Sequence, residues 1–139
     1  MNTETTRVLS AMRPNGRLHL GHYLGVLQNW QQIQYQYKCF FMLADIHGII
    51  NNYQASQQLS ETMNDMVIDW LAAGVDPSQA TIFIQSRVPE HFELASLLGV
   101  ITPLGWLERV PSYKDALDEL EHTDGNTYGL LGSPLLQSA

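Results

Sequence analysis

Residues 7–22, Arg7-Val8-Leu9-Ser10-Ala11-Met12-Arg13-Pro14-Asn15-Gly16-Arg17-Leu18-His19-Leu20-Gly21-His22, pass through three patterns within sixteen positions. Arg7–Met12 is short and apolar and reads as a strand. Arg13-Pro14-Asn15-Gly16 reads as a turn, because proline fixes φ and Asn-Gly tolerates positive φ. From about Leu18, apolar residues fall at Leu20, Leu24, Leu27 and Ile33, with Tyr23 and Trp30 nearby. Spacings of three and four predict a helix with one buried face.

The same alternation continues along the chain. Cys39-Phe40-Phe41-Met42-Leu43-Ala44 is apolar without alternation, as in a parallel strand buried on both faces. It stops at Asp45-Ile46-His47-Gly48. Residues 56–73 align Leu59, Met63, Met66, Val67, Trp70 and Leu71 on one helical face, with Ser56 as a cap and Gly74 as a stop. Ala80–Gln85 reads as a third strand. Pro89 opens another helix, with Leu94, Leu97, Leu98 and Ile101 on one side, ending before Pro103. Leu104–Arg109 reads as a helical turn. Ser112 with Asp115 resembles a capping box for a helix running to about Glu121. Residues 122–129 read as a loop, and Ser133-Pro134 as the cap and first turn of a last helix.

The order β-α-β-α-β-α, with right-handed crossovers, predicts three adjacent parallel strands in the order 3-2-1. The expected fold class is α/β, a Rossmann-type parallel sheet with helices on both faces. Residues 1–139 are expected to form one unit, the N-terminal half of such a fold. The last helix, Leu135–Ala139, has no stop signal, which reads as a chain that continues.

With 139 residues, 45% of them apolar, the chain can bury a core. No apolar run approaches the ~20 residues of a membrane helix, and no secretory leader is visible. One cysteine, Cys39, excludes an internal disulfide and a multi-cysteine zinc site and suits a reducing cytoplasm. The net charge of −7 argues against nucleic-acid binding through charge alone. Four of the seven bases (Arg7, Arg13, Arg17, Lys38) nevertheless lie in residues 1–38, beside a single acid, Glu4. A local anion site there is compatible with an acidic protein.

Ligands of open α/β sheets sit beyond the carboxyl ends of the strands. Those ends lead to Arg13 and Asn15, to Asp45 and His47, and to Gln85 and Ser86. The sharpest feature is His19-Leu20-Gly21-His22 at the first turn of the first helix. Histidines three apart share a face. A helix N-terminus offers free N–H groups to a phosphate. Gly21 lets a flat ring or ribose come close to the backbone. Imidazole donors there would stabilise negative charge growing on phosphate during a displacement, without a protein nucleophile. A single histidine is more often structural. A metal site built from His19, His22 and His47 or Asp45 is the competing chemistry, but the spacing is not H-E-x-x-H. No G-x-G-x-x-G is present, against a nicotinamide or flavin.

Ser10–Gly25 resembles the opening of bacterial tryptophanyl-tRNA synthetases, with His19-Leu20-Gly21-His22 as their form of the class I HIGH signature. The resemblance continues in Phe41–His47, Gly74–Ser86, Leu107–Arg109 and Gly129–Gln137, nearly the whole chain. It implies activation of L-tryptophan by ATP with Mg²⁺ to tryptophanyl-adenylate, then transfer to tRNA(Trp), in a cytoplasmic homodimer with no prosthetic group. It implies that His19 and His22 are catalytic. Arg13, Pro14, Asn15, Gly21 and His22 would border ATP. Leu9, Asp45, His47, Gln85, Ser133 and Gln137 would lie on the tryptophan side, with Leu9 against the indole.

Two positions depart from the family pattern: Ser133 stands where a Tyr is usual, and Ser112 where a Gln is usual. The second signature, the lysine-rich KMSKS loop, is not in this chain, whose only lysines are Lys38 and Lys114. The indole-binding aspartate and the anticodon-binding helices would lie beyond Ala139. The expectation is a parent ligase and a segment that does not complete the reaction alone. The alternatives are an H-x-G-H nucleotidyltransferase, a tyrosine-specific relative, or a non-catalytic dimerising fragment.

Overall fold

The computed structural model describes residues 6–51, 58–119 and 126–139. Three strands, β1 (Arg7–Met12), β2 (Lys38–Leu43) and β3 (Ala80–Ile84), form one parallel sheet in the order β1-β2-β3. Register pairs Ser10 with Phe41 and Phe41 with Ile82. This is the expected topology.

The sheet separates two faces. Val8, Ser10 and Met12, with Cys39, Phe41 and Leu43, point to one of them. That face is covered by the first long helix and by α4 (Leu59–Ala72). Trp30 stacks flat on Phe41, with centroids 4.1 Å apart, and meets Trp70 edge-on at 4.8 Å. Its indole N–H donates to Ser10 Oγ at 3.0 Å, so the ring's polar edge is not left unpaired. Gln34, also buried, donates from Nε2 to the Gly74 carbonyl and accepts the Asp76 N–H at Oε1. It thereby ties the first helix to the αβ turn before β3. Gly74 stops α4 as expected, with φ of +95°.

The second face carries Leu9, Phe40, Met42 and Phe83. On that side α5 (Glu90–Ile101) meets the sheet through His91, and α8 (Tyr128–Ser138) packs against α5, α3 (Asp45–Asn51) and α6 (Leu104–Leu107); α7 (Pro111–Glu119) follows α6 in the chain. Met42 is buried there and Phe83 lies parallel to the ring of His91, but Leu9 stays 56% exposed.

Several local expectations are corrected. Asp45-Ile46-His47-Gly48, read only as the stop of β2, opens a helix of its own: α3 begins at Asp45. The first helix is not uniform. It runs as α1 (Leu20–His22), a π-helical turn (Tyr23–Leu27) and α2 (Gln28–Ile33). In consequence Leu20 and Leu24 are exposed rather than buried. Leu94, Leu97 and Ile101 of α5 are exposed too, so that stripe faces away from this core, whereas the α4 stripe faces it through Met66 and Trp70 and leaves Leu71 exposed. The last helix starts at Thr127, whose Oγ1 accepts the Leu130 N–H. Ser133 is therefore no cap, and Pro134 lies inside the helix. Pro111, not Ser112, is the first residue of α7. Gln85 belongs to a 3₁₀ turn, Gln85–Arg87, rather than to β3. The proposed cap at Ser56, and 122–125 of the proposed loop, lie outside the described residues.

Candidate active site

The carboxyl end of β1 turns sharply. Asn15 N–H donates to the Arg13 carbonyl across Pro14, and Gly16 follows at φ of +124°, where glycine is favoured. Pro14 is buried and presses against α3, where a Cβ on Gly48 would come within 3.2 Å of the proline ring. Arg13 and Asn15 stay exposed.

Four residues later the helix opens with a reciprocal histidine cap. His19 is the N-cap, and its Nδ1 accepts the Gly21 N–H at 3.1 Å. His22 reaches back, and its Nδ1 accepts the His19 N–H at 3.3 Å. The two rings lie 4.0 Å apart, centroid to centroid. A ring nitrogen that accepts carries no proton, so in the neutral imidazoles both protons sit on Nε2. The cap therefore leaves two N–H donors for a ligand. Desolvation, with His19 adding a like charge, holds the His22 pKa below the ordinary imidazole value and favours this neutral form. Gly21 has a more local role than letting a nucleotide approach: a Cβ there would lie 2.9 Å from His19 Cε1. Only glycine leaves room for the capping ring.

The ends of β2 and β3 meet in a buried polar pair. Asp45 Oδ1 accepts the Ser86 N–H at 3.0 Å, joining α3 to the turn after β3. His47 Nδ1 and Gln85 Oε1 are 3.0 Å apart, both residues buried. An amide oxygen only accepts, so Nδ1 is the donor and Nε2 is left with its lone pair. That Nε2 is buried without a partner. Burial, more than the nearby Arg13 and His91 charges, pushes the His47 pKa down, against the Gln85 hydrogen bond. The arrangement suits acceptance of a hydrogen bond from a cationic or N–H ligand group.

His91, in the first turn of α5, is a neighbour that the sequence reading did not single out; no spacing signal ties it to His47. Ser133 and Gln137 share one side of α8, and Ser133 Oγ donates to the Leu130 carbonyl. Gly129 brings α8 close to Ile50 of α3. A separate cavity of about 250 Å³ opens beside Gly16 and Arg17 against Glu61, Asp65 and Asp69 of α4. It is not where the histidines converge. Among the described residues no group of three or more His, Cys, Asp or Glu is placed to hold a metal ion.

The family model for class I tRNA synthetases (W and Y) matches residues 1–139. The tryptophan–tRNA ligase of Ralstonia nicotianae is 61% identical over 133 residues, 96% of this chain and 33% of that protein. The crystal structure of tryptophanyl-tRNA synthetase from Mycoplasma pneumoniae superposes with a TM-score of 0.86 at 35% identity, over 96% of this chain and 40% of that one. That of the Campylobacter jejuni enzyme complexed with ADP and tryptophan superposes at 0.85 with 31% identity, again over 96% and 40%. The chain thus spans about a third to two-fifths of the length of these relatives. The strand–turn–histidine unit, the parallel sheet and these likenesses together establish that the chain belongs to the class I tRNA synthetases for tryptophan and tyrosine.

Proposed function

We propose that this chain is the nucleotide-binding portion of a tryptophan–tRNA ligase. The observation that carries the reading is the reciprocal cap of His19 and His22, which commits both Nδ1 atoms to the helix and leaves Nε2–H of each ring as the donor. In the activation step a tryptophan carboxylate oxygen bonds to the α-phosphorus of ATP, and the bond from that phosphorus to the bridging oxygen breaks, releasing pyrophosphate. Charge builds on phosphate oxygens, where preorganised donors act without reorganising. His19 and His22 would supply those donors. Arg13, Pro14, Asn15 and Gly21 would border the nucleotide, and Mg²⁺ would accompany ATP as part of the substrate.

The tryptophan would lie on the side of Leu9, Asp45, His47, Gln85, Ser133 and Gln137. Leu9 is an exposed apolar side chain on the open sheet face, and His47 Nε2 is a buried acceptor without a partner. Both features suit a ligand with an apolar ring and a cationic end. Identity to tryptophan ligases favours tryptophan over tyrosine. Transfer to tRNA(Trp) would use parts of the protein outside residues 1–139.

A homodimer fits the surface of α5 and α6. Leu97, Val100, Ile101, Leu104 and Trp106 are each 63–82% exposed within ten residues of sequence, and exposed apolar side chains in such number mark an interface. No helix of the described residues is long and apolar enough to cross a membrane. By its likeness to tRNA synthetases we place the protein in the cytoplasm. The test is ATP–pyrophosphate exchange by the full-length protein. Exchange that depends on tryptophan and not on tyrosine is expected. Exchange driven by tyrosine, or by neither amino acid, would refute the reading.

A further inference from the structure

We infer that the π-helical turn Tyr23–Leu27 is a positioning element, which absorbs one residue and so sets the rotational phase of His22 relative to the core-facing side of the same helix. The inference rests on the proposed role of His22 in nucleotide activation.

The core-facing side is plain in α2. Leu27, Trp30 and Gln34 are buried at spacings of three and four. Continued backwards at those spacings, the stripe arrives at Leu24, Tyr23 and Leu20, the residues whose periodicity the sequence advertises. The structure turns all three outward: Leu20 is 70% exposed, Leu24 56% and Tyr23 40%. The half-buried residues at this end are instead His22 and Val26.

The break in phase lies where the hydrogen bonding changes. Gln28 N–H donates to the carbonyl of Tyr23, five residues back, in place of the α-helical four. At 3.6 residues per turn, a π turn that takes up one residue holds everything before it about 100° away from where an uninterrupted α-helix of the same sequence would put it. Wound as α throughout, this sequence would turn Leu20 and Tyr23 towards the core and carry the His22 imidazole out of its half-buried seat. The apolar pattern alone would prefer that arrangement, so the local structure overrides the burial of three large side chains. Such turns within α-helices recur at functional sites, where they re-aim a side chain.

The experiment changes the length of the π turn in the full-length protein. Insertion of one Ala after Leu24 and insertion of one Ala after Gly25 each add a residue that rotates His22 by about 100° with the π turn kept. Deletion of Gly25 is the control with the opposite expectation: it turns the five-back hydrogen bond into an ordinary α turn and leaves His22 in its present phase. Both insertions are expected to keep the near-ultraviolet circular dichroism of the Trp30–Phe41–Trp70 cluster and to leave KM for tryptophan within about threefold. They should lower kcat of pyrophosphate exchange by about 100-fold, the scale of an ångström-level misplacement of a catalytic group. Deletion of Gly25 should stay within about tenfold of the unaltered protein. Histidine NMR in the same variants reads the phase without catalysis: His22 should titrate closer to a free imidazole after either insertion and not after the deletion. Three results would overturn the inference: insertions that keep exchange within about tenfold, an equal loss after the deletion, or failure of both insertions to fold. Absence of exchange in the unaltered protein would sink the proposed function instead, and the His22 titration would then decide the inference alone.

Discussion

Gly21→Ala separates the stability of the histidine cap from its use. A Cβ at position 21 would lie 2.9 Å from His19 Cε1 and 3.0 Å from Nδ1. Carbon atoms prefer separations of about 3.5 Å or more, so the ring must retreat by roughly 0.5 Å or swing away. The bond from Gly21 N–H to Nδ1 is then lost. Loss of an N-cap bond costs about 1 kcal/mol, while Ala in place of Gly in a helical turn returns about 0.5–1 kcal/mol. The two nearly cancel. Since 1 kcal/mol moves Tm by roughly 3–4 °C at this chain length, a melt should shift by no more than about 3 °C. Function should not be spared, because the direction of Nε2–H depends on the cap. Exchange by the full-length protein should fall about 10- to 100-fold. Long-range ¹H–¹⁵N NMR of the imidazoles should show His19 losing its single tautomer. An unchanged His19 tautomer together with unchanged exchange would refute the reasoning. So would a large drop in Tm, which would mean that the ring is held by packing rather than by the cap.

Ser10→Ala removes the acceptor of the buried Trp30 N–H and should lower unfolding free energy by about 1–3 kcal/mol in denaturant titration. His47→Gln should flatten the acid side of the stability–pH profile. The His47 pKa is depressed in the folded state, so the unfolded chain takes up a proton first as pH falls below about 6.5, and stability drops from there towards the lower folded value. A thermal-melt series between pH 7.5 and pH 5 that is equally steep in both proteins would contradict this. Cys39 is 1% exposed and burial raises its thiol pKa, so a thiol reagent should react with it only at the rate of unfolding. Val100→Asp should weaken dimerisation of the full-length protein in sedimentation, because it places a charge on the most exposed apolar side chain of α5.

The sheet was legible because its signals are local and mutually consistent. The unalternating Cys39–Leu43 run, the Pro-Asn-Gly turn and the Gly74 stop each report one backbone requirement, and the structure satisfies all three. Boundaries slipped by a residue, as at Lys38 and Ile84. The α3 helix escaped notice because it follows β2 without a connecting loop, and Asp45 serves both as its first residue and as acceptor for Ser86. The N-terminus of α8 was misplaced because Ser-Pro is a strong helix-start signal, whereas Thr127 supplies the cap seven residues before the proline. The phase of the first helix was misread for a different reason. Its apolar spacing describes an uninterrupted helix, and no residue pattern marks the π turn. The histidine pair was legible in sequence as two residues on one face. Its reciprocal hydrogen bonding, which fixes the tautomers, was not, because it depends on the extended backbone of His19.

The most direct measurement is a titration of the full-length protein with ATP, followed through its ¹⁵N-labelled imidazole nitrogens. Nε2 of His19 and of His22 should shift together and saturate at one common Kd, while their Nδ1 signals stay those of hydrogen-bond acceptors. Saturable ATP binding that leaves both Nε2 signals unmoved would contradict the claim that this helical tip receives the nucleotide.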